Sequence, residues 1–248
     1  MKLAVVVQRY GQAINGGAEL HARYIAEHLA RHTDVEVVTT CATDYVTWRN
    51  ELEAGVEDVN GVRVRRFRVK HERDPRVFAR RSDRVFAQRH SLADELEWVD
   101  AEGPRSPALV NHLARHAIDY DFCLFFSYRY YHAYYGAHAA SSRAILVPTA
   151  ERDAAIGLSI FPPLFRAVRA VMYNSPEERA MIHAIAANQS VPGVTVTMVE
   201  SVGGAPPFAF ETVSQPESPA AVQVRGRPPG LSICSLKVYG TALPVNAA

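Results

Sequence analysis

The chain has 248 residues, 48% of them hydrophobic and 21% charged, a balance that excludes global disorder and suffices for a buried core without staples. Lys and Arg number 27 against 26 Asp and Glu, a net charge of +1, which lacks the basic excess of a dedicated nucleic-acid binder. Cys41, Cys123 and Cys234 stand far apart with no C-x-x-C pair, arguing against a disulfide framework or zinc site and for a reducing, cytoplasmic setting.

The chain opens on a β-favouring run, residues 3–7, too short for a signal-peptide core. No stretch approaches the roughly 20 apolar residues of a membrane span, so any membrane contact is expected to be peripheral. A loop holding Gly11, Gly16 and Gly17 follows, then Leu20, Tyr24, Ile25 and Leu29 at helical spacing, then a strand from Val35. Residues 2–40 thus read as a β-α-β unit with a right-handed parallel crossover. Asn60-Gly61 precedes a strictly alternating strand over 62–69, whose preceding partner the pattern does not identify. Helical segments are expected at 77–88, 92–99 and 108–118, the last after Pro107, covering a sheet edge or one face.

Residues 122–126 and 144–147 are short apolar runs typical of strands buried on both faces, separated by an aromatic segment from Tyr128 to Gly136. Residues 168–173 read as a further strand or a helix start. Ser175, Pro176 and Glu178 predict a helix with Ser175 as N-cap and a capping box, running to about Ala187, and 194–199 reads as a last strand. Alternating strands and helices argue for an α/β, doubly wound, mostly parallel sheet, Rossmann-like, over residues 1–199. Residues 200–248 are expected to be an irregular tail, because seven of the 15 prolines fall after Ser201 and no periodicity survives there.

In such a sheet, ligands bind beyond the carboxyl ends of strands. Three segments fall there. The loop from Arg9 and Tyr10 through Gly16, Gly17 and Glu19 places a glycine pair at a helix start, where backbone N–H groups can approach a phosphate or sugar. The same pair can simply form a tight turn, and its spacing fits neither a dinucleotide fingerprint nor a P-loop. Thr149, Glu151, Arg152 and Asp153 follow the second apolar strand and can bind hydroxyls or phosphate, or merely cap a helix. Tyr128 and Arg129 follow the first and suit an acceptor pocket, whereas Tyr131, Tyr134 and Tyr135 read as packing. The basic stretch from Arg63 to Arg89 reads as an amphipathic surface element or a solvated face. No G-x-S-x-G or H-E-x-x-H is present, and His28 and His32 lack a carboxylate partner for a metal.

The string Q-R-Y-G followed by N-G-G-A-E, the elements behind it and Y-N-S-P-E-E-R together resemble the N-terminal, acceptor-side domain of GT-B glycosyltransferases of family 4, over about residues 1–195. The resemblance implies retaining transfer of a hexose from a nucleotide sugar to a saccharide or lipid-linked acceptor in surface-polysaccharide assembly, without metal or other cofactor. Gly16 and Gly17 would face the donor diphosphate. Arg9, Tyr10, Glu19, Tyr128, Arg129, Thr149, Arg152 and Asp153 would line the acceptor side. Glu151 stands where the family often has a His that orients the sugar, and is the catalytic candidate. The basic stretch would meet the inner face of the membrane.

The family's donor domain carries an E-x7-E motif, but Glu200, Glu211 and Glu217 lie at intervals of eleven and six. The tail therefore reads as a reading-frame change or truncation, and the chain alone is expected to have little transferase activity. Two rivals stay open: a non-catalytic saccharide-binding or donor-subunit-pairing module, and a nucleotide-binding Rossmann protein of other chemistry.

Overall fold

The computed structural model describes residues 1–196. Eight strands form one sheet in the order β3-β4-β2-β1-β5-β6-β7-β8: β1 (Lys2–Val6), β2 (Asp34–Thr40), β3 (Gly55–Val59), β4 (Val62–Phe67), β5 (Phe122–Phe126), β6 (Ala144–Val147), β7 (Ala170–Tyr173) and β8 (Gly193–Thr195). All pairings are parallel except β3 with β4. The missing partner of the alternating strand is β3, joined to it through Asn60 and Gly61. Both turn residues have positive φ, 54° and 78°, as a two-residue hairpin turn with the right-handed twist requires. Of the strand predicted over 194–199, Val194 and Thr195 are strand and Val196 is not; residues 197–199, like the proline-rich segment, lie outside the described residues.

Two layers cover the sheet. On one face lies α1 (Gly17–Leu29), whose Ala22, Ile25 and Ala26 meet Leu3, Val5, Val37, Leu124 and Phe126. On the other lie α2 (Pro75–Ala87), α3 (Leu92–Glu102), α4 (Pro107–His116), α5 (Tyr131–Ala139), α6 (Phe161–Ala167) and α7 (Pro176–Ala186), around Val6, Phe125, Leu146, Val171 and Tyr173. Strands β5 and β6 are apolar throughout because both of their faces are buried, the pattern of a doubly wound parallel sheet. The fold is a Rossmann-like α/β fold.

The helix ends follow local chemistry. Asp74 caps α2 by accepting from the N–H groups of Arg76 and Val77, and Ser91 with Asp94 forms a full capping box on α3 that the sequence reading missed. At α7 only half of the expected box forms: Ser175 Oγ accepts from Glu178 N, but the Glu178 carboxylate turns to Asn174 N and Ala150 N instead of closing on Ser175. That diversion ties the ends of β6 and β7 together. On β2, buried Glu36 accepts from Tyr120 Oη (2.5 Å) and Arg65 Nε (2.8 Å) and lies 3.3 Å from Arg63 Nε. Burial opposes its ionisation, but the Tyr120 hydroxyl and Arg65 prevail and hold the carboxyl below its ordinary range.

Candidate functional site

The strand order reverses between β1 and β5: the chain works outward from β1 to β2 on one side, then returns beside β1 with β5 and proceeds outward on the other. The crevice beyond the carboxyl ends of these two strands is the topological switch point, where open α/β sheets bind ligands. Residues from all three predicted segments gather at this rim.

At the β1 end, Arg9 is nearly buried and pairs with Glu19, through Nη2 at 2.5 Å and Nε at 2.8 Å to Oε1, while its Nη1 donates to Thr43 O at 2.6 Å. Gly16 is the N-cap of α1, and no side chain caps that end. A Cβ at Gly16 would stand 2.2 Å from Glu19 Oε2 and 3.1 Å from Arg9 Nη2, so glycine leaves room for the ion pair to fold over the helix start. At Gly17 a Cβ would meet nothing within 4 Å. The structure places Tyr10 inside the core, fully buried, its hydroxyl unpartnered and its carbonyl accepting from Arg66; its side chain is not on the rim surface.

At the β5 and β6 ends, Arg129 holds Asp153 through Nη1 at 2.7 Å. Its Nε lies 2.8 Å from Glu102 Oε1, an ion-pair contact in which the N–H is not aimed for a hydrogen bond. Glu102 also lies 3.5 Å from Arg73 Nη1 and is 4% exposed. Burial pushes the Glu102 carboxyl above its ordinary pKa despite the two guanidinium groups. Tyr128 packs against Phe161 and Phe165 in the core, presenting only its hydroxyl, 3.4 Å from Asp153 Oδ1. The position after a strand located Tyr128 correctly along the chain but did not reveal which way its ring turns. Glu151 and Arg152 are exposed, with no side-chain partner among the described residues.

Ser127, the first residue past β5, and Thr149, the second past β6, both have positive φ, 64° and 48°, and Thr149 Oγ1 donates to Ser127 Oγ at 2.9 Å. A β-branched residue in the left-handed region costs about 1–3 kcal/mol and persists only where its surroundings fix it, as at ligand-binding rims. Two neutral imidazoles flank the last residue of β5. His132 donates from Nε2 to Phe126 O at 3.0 Å, and His21 meets the Phe126 ring edge-on; burial lowers their pKa values to about 3 and about 4.

The residues that sequence reasoning missed come from distant segments. Trp48 donates from Nε1 to Glu102 O and meets Tyr130 edge-on at 5.6 Å, thereby joining the loop after β2 to the loop after β5. Burial, then Glu102, pushes the Tyr130 hydroxyl up to about 12. Asp44 accepts from the N–H groups of Val46, Thr47 and Arg49 and from Thr47 Oγ1, which together overcome burial and hold its carboxyl at about 2. The D-x-x-T pattern of Asp44 and Thr47 was the available signal for this turn.

No protein-family model matches the chain, and no curated protein matches it.

The rim thus combines an uncapped helix start beneath an ion pair, a second arginine held between carboxylates, and strained hydroxyl-bearing residues at two strand ends. Such a surface can bind hydroxyl groups and anions by directed hydrogen bonds. Among the described residues no group of three or more His, Cys, Asp or Glu side chains is placed to hold a metal ion, and no helix is long and apolar enough to cross a membrane. Six of the eleven Arg and Lys side chains of the basic stretch are in ion pairs: Arg63 and Arg65 with Glu36, Arg66 with Glu57, Arg73 with Glu102, Arg81 with Glu97 and Arg84 with Asp94.

Proposed function

We propose that this chain supplies the acceptor side of a retaining glycosyltransferase of the GT-B, family-4 type, binding a saccharide or a lipid-linked saccharide at the β1/β5 rim. The observation that carries the reading is topological: the Gly16-Gly17 helix start follows β1, and the paired Arg129 and Asp153 follow the neighbouring strands β5 and β6, on the carboxyl side of the switch point. A sugar hydroxyl array matches this mixed donor and acceptor surface. The N-terminus of α1 has no side-chain cap and would suit a donor diphosphate once the Glu19 carboxylate that lies over it swings aside, its N–H groups then stabilising the departing charge. Glu151, exposed at the same rim, is the carboxylate available to orient the reacting sugar. Exposed Arg76 and Arg80 make no ion pair among the described residues and, with Phe86 (39% exposed) and Leu92 (58%), would meet an anionic membrane surface peripherally.

The test is calorimetric titration of the chain with UDP- and GDP-sugars beside a glycan array. Saccharide binding with little or no transfer by the chain alone is expected. Nucleotide binding with no affinity for any glycan would transfer the reading to a nucleotide-binding protein of other chemistry.

A further inference from the structure

An exposed aromatic side chain at a binding rim is informative when the backbone beneath it is rigid. Tyr45 is 62% exposed and Val46, beside it, 47%. The loop that carries them is fixed from several directions. Asp44 accepts its four hydrogen bonds from inside the turn, Arg73 Nη2 donates to Tyr45 O at 2.9 Å, and Arg73 N donates to Thr47 O at 2.6 Å. Arg9 donates to Thr43 O, and its guanidinium carbon lies 5.6 Å from the Tyr45 ring centroid and 6.0 Å from that of Trp48. The same arginine that pairs with Glu19 over the start of α1 therefore also lies against the exposed Tyr45 ring. Leaving so much aromatic surface in water on a preorganised loop forgoes burial that the hydrophobic effect would otherwise favour.

We propose that Tyr45 is a stacking platform for a pyranose ring, the sugar's C–H face lying on the aromatic face and its hydroxyls reaching the polar groups of the rim. The inference rests on the saccharide-binding reading above and specifies where the ring sits. A pyranose fits because it is amphipathic in the same sense as the site, with an apolar face and a polar periphery, and because aromatic faces combine contact area with little conformational freedom to lose.

The experiment is saturation-transfer NMR and titration of the full chain with glucose, galactose, mannose and N-acetylglucosamine, using wild type, Tyr45→Ala, Tyr45→Phe and Tyr45→Trp. The tightest-binding sugar is expected to lose roughly five- to tenfold in affinity in Tyr45→Ala and to keep it within about twofold in Tyr45→Phe and Tyr45→Trp. Its ring protons should carry the strongest saturation and ring-current shifts, and these should vanish in Tyr45→Ala. Because the side chain is exposed, the Tm of every variant should stay within about 2 °C of wild type. Unchanged sugar affinity in Tyr45→Ala overturns the platform and leaves the saccharide reading standing. Wild type binding none of the four sugars removes both. Loss of UDP or GDP binding in Tyr45→Ala, with sugar binding intact, makes the ring a nucleobase platform and overturns the proposal.

Discussion

Glu36 and Glu102 are both buried carboxylates facing two arginines, yet the protein holds them in opposite ways. Around Glu36 the partners are close and directed, with a tyrosine hydroxyl added, and the carboxyl is held below its ordinary range. Around Glu102 one arginine sits at 3.5 Å and the other is misaimed, and burial pushes the carboxyl up. The first arrangement stabilises the sheet. The second keeps a less closely paired charge network, Glu102 between Arg73 and Arg129, beside the residues that follow β5.

The comparison is broken or sharpened most strongly by neutralising each carboxylate in turn. Glu36→Gln is expected to cost about 3 kcal/mol by urea denaturation at neutral pH, because it strips charge from a well-paired buried network. Glu102→Gln is expected to cost about 1 kcal/mol or less, because it removes a charge that burial already disfavours. Equal costs would erase the distinction. Their pH dependences should also run in opposite directions. With its folded pKa depressed, Glu36 contributes stability that is present above the ordinary carboxylate pKa of about 4.3 and lost as pH falls below it, so the gap between wild type and Glu36→Gln should close in acid. With its folded pKa raised, Glu102 binds its proton more tightly when folded. Wild type should therefore lose stability relative to Glu102→Gln as pH rises above about 4.3.

A smaller effect is expected at the loop that presents Tyr45. Asp44→Ala should cost about 1–2 kcal/mol in thermal or chemical melts, and it should weaken saccharide binding as Tyr45→Ala does, since the platform loses its support. An intact affinity would separate the loop's order from binding. Smaller again, Gly16→Ala should destabilise by about 1 kcal/mol by forcing Glu19 away from Arg9. In a Glu19→Ala background, which already lacks that ion pair, the same glycine substitution should cost little, a coupling that a double-mutant cycle in melts would measure.

Much of the fold was legible because the signals were local: the apolar runs of β5 and β6, the Asn60-Gly61 turn, the glycine start of α1 and Ser175 at α7. The rim was legible in outline, since the segments after β1, β5 and β6 could be placed there from strand order alone. Which side chains face it was not. Tyr10 and Tyr128 follow strands as Arg9 and Arg129 do, but the last turn of backbone sends their rings into the core, and nothing in residue type records that. Glu102, Arg73 and Trp48 were invisible for a different reason, as they meet only because α3 and the loop after β2 converge on β5 in space. Glu178 shows the same limit on a smaller scale: the pattern specified a capping box, and a neighbouring strand end took half of it.

The smallest expected effect concerns Ser127 and Thr149. Thr149→Gly should raise stability by about 0.5–1 kcal/mol in thermal melts, by removing the side chain from a left-handed backbone position, while loosening the hydroxyl contact to Ser127. The two effects travel in opposite directions for one substitution. A laboratory selection for heat resistance alone would therefore accept changes at these strand ends early, and the enriched variants would be sturdier proteins with blunted rims. The positions such a selection overturns first would themselves map the binding surface, with no ligand in the experiment.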